Sequence, residues 1–287
     1  MPLNVEKLIN WPEVEETYRY GEQEAMLYAV AVGIGGKPTD SRELRFVFER
    51  DLLATPTMAM IMGTNYPWLR DRDTGINLKK MLHGESGLQL HKLLPPSGTV
   101  TSRSSVYAVA DRGPDQGAAV YFRRQVHDAT DNALLATVTG CFIMRDGGGC
   151  GSAGTPPPPP RVVPERAPDK IFELPTPPNA ALLYRLTGDR NPLHADPELA
   201  RSAGFERPIL HGACMFGMAG RVLLEQACEY EPRRLKQFGV RYSSPCYPGE
   251  TLRMEVWEGA GGTLAFRCTS KERGVVTLNN GYAEVER

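Results

Sequence analysis

The sequence predicts an α+β protein in which a curled antiparallel sheet packs on a helix, and it predicts that arrangement twice. Three observations carry the expectation. Strand-like runs at 100–109, 118–127 and 133–144 follow Pro96-Ser-Gly-Thr-Val100, and runs at 252–257, 263–270 and 275–285 follow Pro248-Gly-Glu-Thr-Leu252. Residues 212–228 carry Met215, Met218, Ala219, Val222, Leu223 and Gln226 at spacings of three and four, the period of an amphipathic helix. Between the halves lies Asp146-Gly-Gly-Gly-Cys-Gly-Ser-Ala-Gly-Thr-Pro-Pro-Pro-Pro-Pro160.

Each strand-like run is rich in Val, Thr, Tyr and Phe and is bounded by Gly, Asp or Asn, as strands joined by hairpins are. One long helix with a run of antiparallel strands makes a sheet-on-helix layer pair. In the first half, shorter helical segments are expected at 22–30 and 55–62, and residues 88–94 alternate like a strand. The glycines of the central stretch remove backbone preference and its prolines impose an extended form without donors. No packed element is expected there, and a linker at 146–164 divides a domain at 1–145 from one at 165–287. The charged residues of 165–173 read as a solvated connection.

Composition narrows the function. Thirty-three Lys and Arg against 34 Asp and Glu leave a formal charge of -1, whereas a nucleic-acid surface needs a basic surplus or face. The pairs Arg123-Arg124 and Arg233-Arg234 do not extend into one. No window approaches the roughly 18 apolar residues of a membrane span, and the N-terminus does not read as a secretory signal. Six cysteines without a C-x-x-C pair favour reduced thiols over zinc or disulfides. The C-terminal residues are neither an SKL-type address nor a CaaX box. The expected compartment is the cytoplasm, with no nucleic-acid or membrane partner.

Chemistry concentrates at 183–196, where Asp189, Asn191 and His194 fall within six residues. Gly188 and Pro192 argue against a regular helix, so the three sit on a shaped loop. Three readings stand side by side. Gly-Asp-x-Asn is a good turn sequence, with Asp and Asn bonding their own backbone. A carboxylate and an imidazole on one loop can hold a water and move its proton, with the Asn191 amide orienting either. The same residues could take a metal, although one His with one carboxylate is a thin ligand set and no second His or Cys is near in sequence.

Downstream, Arg207-Pro-Ile-Leu-His-Gly-Ala-Cys214 runs into the helix. Gly212 falls at its first turn, where unpaired N–H groups and the helix dipole suit an oxyanion or thioester carbonyl. Alternatively, Gly212 is only a tight entry to a buried helix and His211 a satisfied core residue. Leu82-His83-Gly84 echoes this motif without a helix after it, so His83, like His91 and His127, reads as structural or surface.

The run Tyr184-Arg-Leu-Thr-Gly-Asp-Arg-Asn-Pro-Leu-His194, with Ile209-Leu-His-Gly-Ala213 beyond it, resembles the hydratase-2 signature of the MaoC-like (R)-specific enoyl-CoA hydratases. The resemblance is strongest over 181–228. In the first half it is carried by Tyr20-Gly-Glu-Gln-Glu-Ala-Met-Leu-Tyr-Ala-Val-Ala-Val-Gly33, which is similar to the start of the two-domain members.

The resemblance implies a double hotdog, two curved antiparallel sheets each wrapped around a helix, with a single active site in the second. It implies Asp189 and His194 as the catalytic pair, Asn191 as their support and the Gly212 amide as donor to the thioester carbonyl. The implied reaction is hydration of a trans-2-enoyl-CoA to a (3R)-3-hydroxyacyl-CoA within fatty acyl-CoA metabolism. It needs no metal or redox cofactor, CoA being part of the substrate. The first half lacks Gly-Asp-x-Asn-Pro-x-His and is expected to accommodate the acyl chain; the double form implies a homodimer. The rival readings are a hotdog acyl-CoA thioesterase, a dehydratase acting on acyl carrier protein, and a non-catalytic acyl-CoA-binding or assembly subunit.

Overall fold

The computed structural model describes residues 2–286. Its strands are β1 (Val14–Tyr20), β2 (Met81–Leu90), β3 (Gly98–Asp111), β4 (Ala118–Asp128), β5 (Leu134–Met144), β6 (Ala153–Gly154), β7 (Lys170–Pro175), β8 (Leu235–Tyr242), β9 (Thr251–Glu258), β10 (Thr263–Ser270) and β11 (Val275–Val285). Its α-helices are α1 (Val5–Ile9), α2 (Glu22–Ala31), α3 (Ser41–Leu44), α4 (Ala180–Tyr184), α5 (Pro197–Ser202) and α6 (Gly212–Gln226). The six hairpin strands expected from composition coincide with β3, β4, β5, β9, β10 and β11, and the helical period at 212–228 is α6.

The strands form one sheet in the order β1-β3-β4-β5-β2-β8-β11-β10-β9-β7, with β6 attached to β3. Reading outward from the middle, the first half runs β2, β5, β4, β3, β1 and the second β8, β11, β10, β9, β7. In each half the first strand is the outer edge, the second is the junction, and three hairpin-linked strands fill the gap. The two halves therefore share one topology, and their sheets join edge to edge. At the junction β2 and β8 are antiparallel, with Glu85 opposite Arg241, Gly87 opposite Gly239 and Gln89 opposite Gln237.

Between the edge and junction strands the halves differ. The second carries the 15-residue α6; the first carries α2 and a 3-10 turn at Pro56–Ile61. Helix α6 is buried almost all round, from Cys214 to Gly220 and from Val222 to Leu224. A helix apolar on every side must be covered on every side. The sheet covers one face: Phe216 lies 4.1 Å from Phe238 of β8, which lies 5.6 Å from Phe266 of β10. The first half covers the other. A Cβ built on Gly217 would meet Val32 at 2.4 Å, and one on Gly220 would meet Thr57 at 2.5 Å. Two glycines one turn apart thus let α2 and the 3-10 turn cross the helix closely. Both halves contribute to the single large core around α6, which includes Tyr28, Phe46, Met58, Phe216, Phe238 and Phe266.

Two expectations are corrected. The Gly-rich stretch does pack: the Asp111 carboxylate accepts the N–H groups of Gly113, Gly149 and Gly151 at 2.8–2.9 Å, and β6 pairs with Ala108 and Val109. Two of these donors, Gly149 and Gly151, lie in the stretch, and their bonds to one carboxylate hold a segment that composition alone leaves free. The supposed solvated connection ends in β7, an edge strand paired with β9, whose Phe172 and Leu174 face inward while Lys170, Ile171 and Glu173 stay exposed. Arg124 is 1% exposed, with its guanidinium on the carbonyls of Ala59 and Met60 at the end of the 3-10 turn. Strands β1 and β8 lie where no strand is expected.

Candidate active site

Asp189, Asn191 and His194 follow α4 and a 3-10 turn at Arg185–Thr187, on a loop that ends in a second 3-10 turn at Pro192–His194. Gly188 takes φ 130°, a left-handed value that favours glycine. The Asn191 N–H donates to Asp189 Oδ1 at 3.1 Å, and Asn191 Oδ1 caps the Leu193 N–H at 3.1 Å. Asn191 thus holds the carboxylate through its backbone and the His194 turn through its side chain. These are the bonds that the turn reading expects, and they leave the second Asp189 oxygen without a bond from Asn191.

Asp189 is exposed, whereas His194 and His211 are buried. His194 Nδ1 lies 2.8 Å from the Ile209 carbonyl. A carbonyl only accepts, so Nδ1 carries the hydrogen and Nε2 keeps a free lone pair. Burial pulls the His194 pKa below 6.5, while the Ile209 carbonyl and Asp189 pull it back up. At neutral pH the ring is an uncharged base.

His211, the N-cap of α6, stacks on His194 with centroids 3.7 Å apart and planes 28° off parallel. Its Nε2 donates to the Asp189 backbone carbonyl at 3.2 Å. Burial, then the neighbouring His194, lowers its pKa to about 4. Asp189, His194 and His211 each offer a ligand atom, all within 4.8 Å of one another. The second histidine that the local sequence lacks is therefore supplied in space. Stacked rings, however, aim their in-plane lone pairs side by side rather than at one point, which suits mutual positioning better than chelation.

Gly212 opens α6 beside this pair. Among the described residues no acceptor takes its N–H, as expected for a first helical turn. A Cβ there would lie 3.1 Å from the Tyr242 ring, so the glycine also makes room for an aromatic wall. The Tyr242 hydroxyl donates to Ser86 Oγ at 3.0 Å, and Ser86 Oγ lies 3.1 Å from His83 Nε2. The His83 ring packs between Phe142 and Tyr242, at 5.0 and 4.9 Å. Burial lowers its pKa to about 4, and the Asp189 carboxylate acts against that shift.

The chain matches the MaoC like domain over residues 161–280 and the MFE-2 hydratase 2 N-terminal domain over residues 18–146. It is 32% identical to the probable enoyl-CoA hydratase 2 of Dictyostelium discoideum over 294 residues, covering 100% of this chain and 98% of that protein. The chain belongs to the MaoC-like, hydratase 2 family. Enoyl-CoA hydratase 2, a hydro-lyase, is the enzyme class of that family. The peroxisomal multifunctional enzyme type 2 of Drosophila melanogaster is 32% identical over 95% of this chain, which spans 47% of that longer protein. The crystal structure of a MaoC-like dehydratase from Phytophthora capsici superposes with a TM-score of 0.88 at 34% identity, covering 99% of both chains. At the level of fold alone, a Mycobacterium tuberculosis protein described as a double hotdog aligns at 15% identity with a TM-score of 0.59, covering 96% and 95%. The chain is a double hotdog.

The structure brings Asp189, His194 and the start of α6 together and adds His211. Sequence reasoning missed the contribution of the first half: His83 and Ser86 reach the site because β2 pairs with β8. The Leu82-His83-Gly84 echo was the available signal, but its meaning depends on a strand pairing between distant residues. His91 and His127 serve locally, on Thr137 and the Asn132 carbonyl.

Proposed function

We propose that the chain hydrates trans-2-enoyl-CoA to (3R)-3-hydroxyacyl-CoA, using one water held between Asp189 and His194. The observation that carries the reading is that a ring nitrogen of His194 and a carboxylate oxygen of Asp189 lie within 4.8 Å of each other, with Nε2 left as the open lone pair by the Nδ1 bond to Ile209 and with the Gly212 N–H uncommitted among the described residues. A water about 2.8 Å from each acceptor spans such a gap at close to its own bond angle. With both hydrogens given to acceptors, its lone pair is left to face C3 of the substrate.

As oxygen bonds C3, His194 Nε2 takes the water's proton and the C2–C3 π electrons move toward the thioester. Negative charge grows on the thioester oxygen, where the Gly212 N–H and the positive end of α6 stabilise it. The imidazolium, steadied by Asp189 and the Ile209 carbonyl, returns its proton to C2 on the same face. One group therefore serves as base and then acid.

The first half, with Met58, Met60 and Met62 buried around its 3-10 turn, is the proposed wall for the acyl chain; thioether side chains deform to fit varied shapes. We take the working form to be a homodimer. The proposed compartment is the cytoplasm, with the peroxisome, named in the Drosophila relative, as the alternative that fractionation decides.

Loss of enoyl absorbance without release of free thiol is the expected result, and thiol release would favour the thioesterase reading. Asp189→Asn and His194→Ala are expected to lower hydration by about 10²–10⁴-fold with the fold intact. Unchanged turnover in either variant would overturn the assignment.

A further inference from the structure

His211 stands at an N-cap, where Ser, Thr, Asn or Asp would bond the first turn, yet its side chain makes no capping bond. It is 1% exposed, and its Nδ1 finds no partner among the described residues. A buried, half-satisfied imidazole destabilises a fold that an apolar residue would serve better. Its other contacts all converge on the site. One ring face stacks on His194 at 3.7 Å, the Tyr184 ring lies 4.9 Å away, and Nε2 holds the Asp189 carbonyl at 3.2 Å. Tyr184, Asp189 and His194 are the start, middle and end of the loop that bears the proposed water. His211 itself is covalently joined to Gly212, the proposed donor to the thioester oxygen.

We infer that His211 is a positioning residue: one side chain sets the distance between the water-holding pair, Asp189 and His194, and the Gly212 amide across from it. The inference deepens the hydratase reading and rests on it. Its two contacts do separate work. The stack buries the His194 ring and keeps its Nδ1–H on Ile209. The hydrogen bond fixes the backbone from which the Asp189 carboxylate projects. His211 stays uncharged when its neighbour takes a proton, since burial and that neighbour both oppose its own protonation. Positioning of this kind has large leverage, because a shift of about 1 Å at a reacting group costs on the order of 10²-fold in rate.

Two substitutions separate the contacts. His211→Ala removes both, and His211→Phe keeps a stacking ring while removing the donor. The readouts are kcat and KM for trans-2-enoyl-CoA, the melting temperature, and the tautomer and titration of His194 by nitrogen-resolved NMR of the imidazoles. His211→Ala is expected to lose about 10²-fold in kcat with KM nearly unchanged, while His194 loses its fixed Nδ1–H tautomer and titrates closer to its ordinary value. His211→Phe is expected to keep the His194 signature and lose about tenfold in kcat, a part of the same leverage. Should His211→Ala fail to fold, His211→Phe still decides, since wild-type kcat in that variant would overturn the role of the donor. In His211→Ala, either wild-type kcat or a fall in kcat with the His194 signature unchanged would overturn the inference outright. A wild-type protein inactive on enoyl-CoA would instead refute the hydratase reading, and the NMR comparison would still test the positioning.

Discussion

Gly239 of the second half faces Gly87 of the first across the strand pair that joins the two sheets. Neither glycine is there for an unusual backbone angle. A Cβ on Gly239 would lie 2.4 Å from the Tyr282 ring, and one on Gly87 would lie 2.5 Å from Thr139 Oγ1. Side chains from the next strands on either side fill the space over the seam. Gly239→Val is therefore expected to destabilise the protein by about 1–3 kcal/mol, the usual cost of overpacking, read as a lower denaturant midpoint. Because β2 brings His83 and Ser86 to the site across this seam, activity should fall with the folded population.

Gly212→Pro offers a clean removal of the proposed donor. Proline is well tolerated at the first helical position, and His211 already holds φ −59° and ψ 136°, which suits a residue before proline. The ring must displace Tyr242 slightly, as the 3.1 Å approach implies. The expected outcome is a fall of about 10²–10³-fold in kcat with a small change in melting temperature. An unchanged kcat would remove the Gly212 amide from the mechanism.

Buried histidines give the protein an acid sensitivity with a definite sign. Burial holds the pKa of His83 and His211 at about 4 and that of His194 below 6.5. Unfolded, each would protonate near 6.5, so the unfolded chain binds more protons between these values. Their contribution to stability is fully present above pH 6.5 and is lost as pH falls toward 4. For His83 alone the shift corresponds to roughly 3 kcal/mol. Denaturant midpoints at pH 7.5, 6 and 5 (about one unit above, just below and well below the ordinary histidine value) should fall in that order. On the same reading, kcat/KM should drop on the acid side with an apparent pKa under 6.5, as His194 loses its lone pair.

Asn191→Ala removes the Oδ1 cap on Leu193 N–H while leaving its own N–H on Asp189. The loss should cost about 1 kcal/mol of stability and loosen the His194 turn, lowering kcat by roughly tenfold. Asn191→Asp keeps an acceptor in place and should retain the stability. Thermal melts and initial rates on both variants check the distinction.

Much of the fold was legible because its strands are locally self-evident. The runs that became β3, β4, β5 and β9 to β11 alternate and end in turn residues, and α6 has a clear three-and-four period. What stayed hidden depends on partners distant in sequence. Strand β8 contains Gly239 and charged residues, and it is a strand because β2 and β11 flank it. The Gly-rich stretch is ordered by Asp111, some forty residues away. In the site, Asp189, Asn191, His194 and Gly212 stand in two short motifs and could be singled out directly. His211 reads from the sequence only as a satisfied core residue, since its stacking on His194 is a tertiary fact. His83 carries no local sign of a role, since no helix follows it, although the strand junction brings it within electrostatic reach of Asp189.

In the proposed reaction a single water, held by Asp189 and His194, supplies both the hydroxyl at C3 and the proton at C2. Hydration of a trans-2-enoyl-CoA in deuterium oxide, followed by NMR of the product, tests it most directly. The expected product carries one deuterium at C2 on the same face as a 3R hydroxyl. Deuterium on the opposite face would require a proton donor across the substrate from His194 and would contradict it.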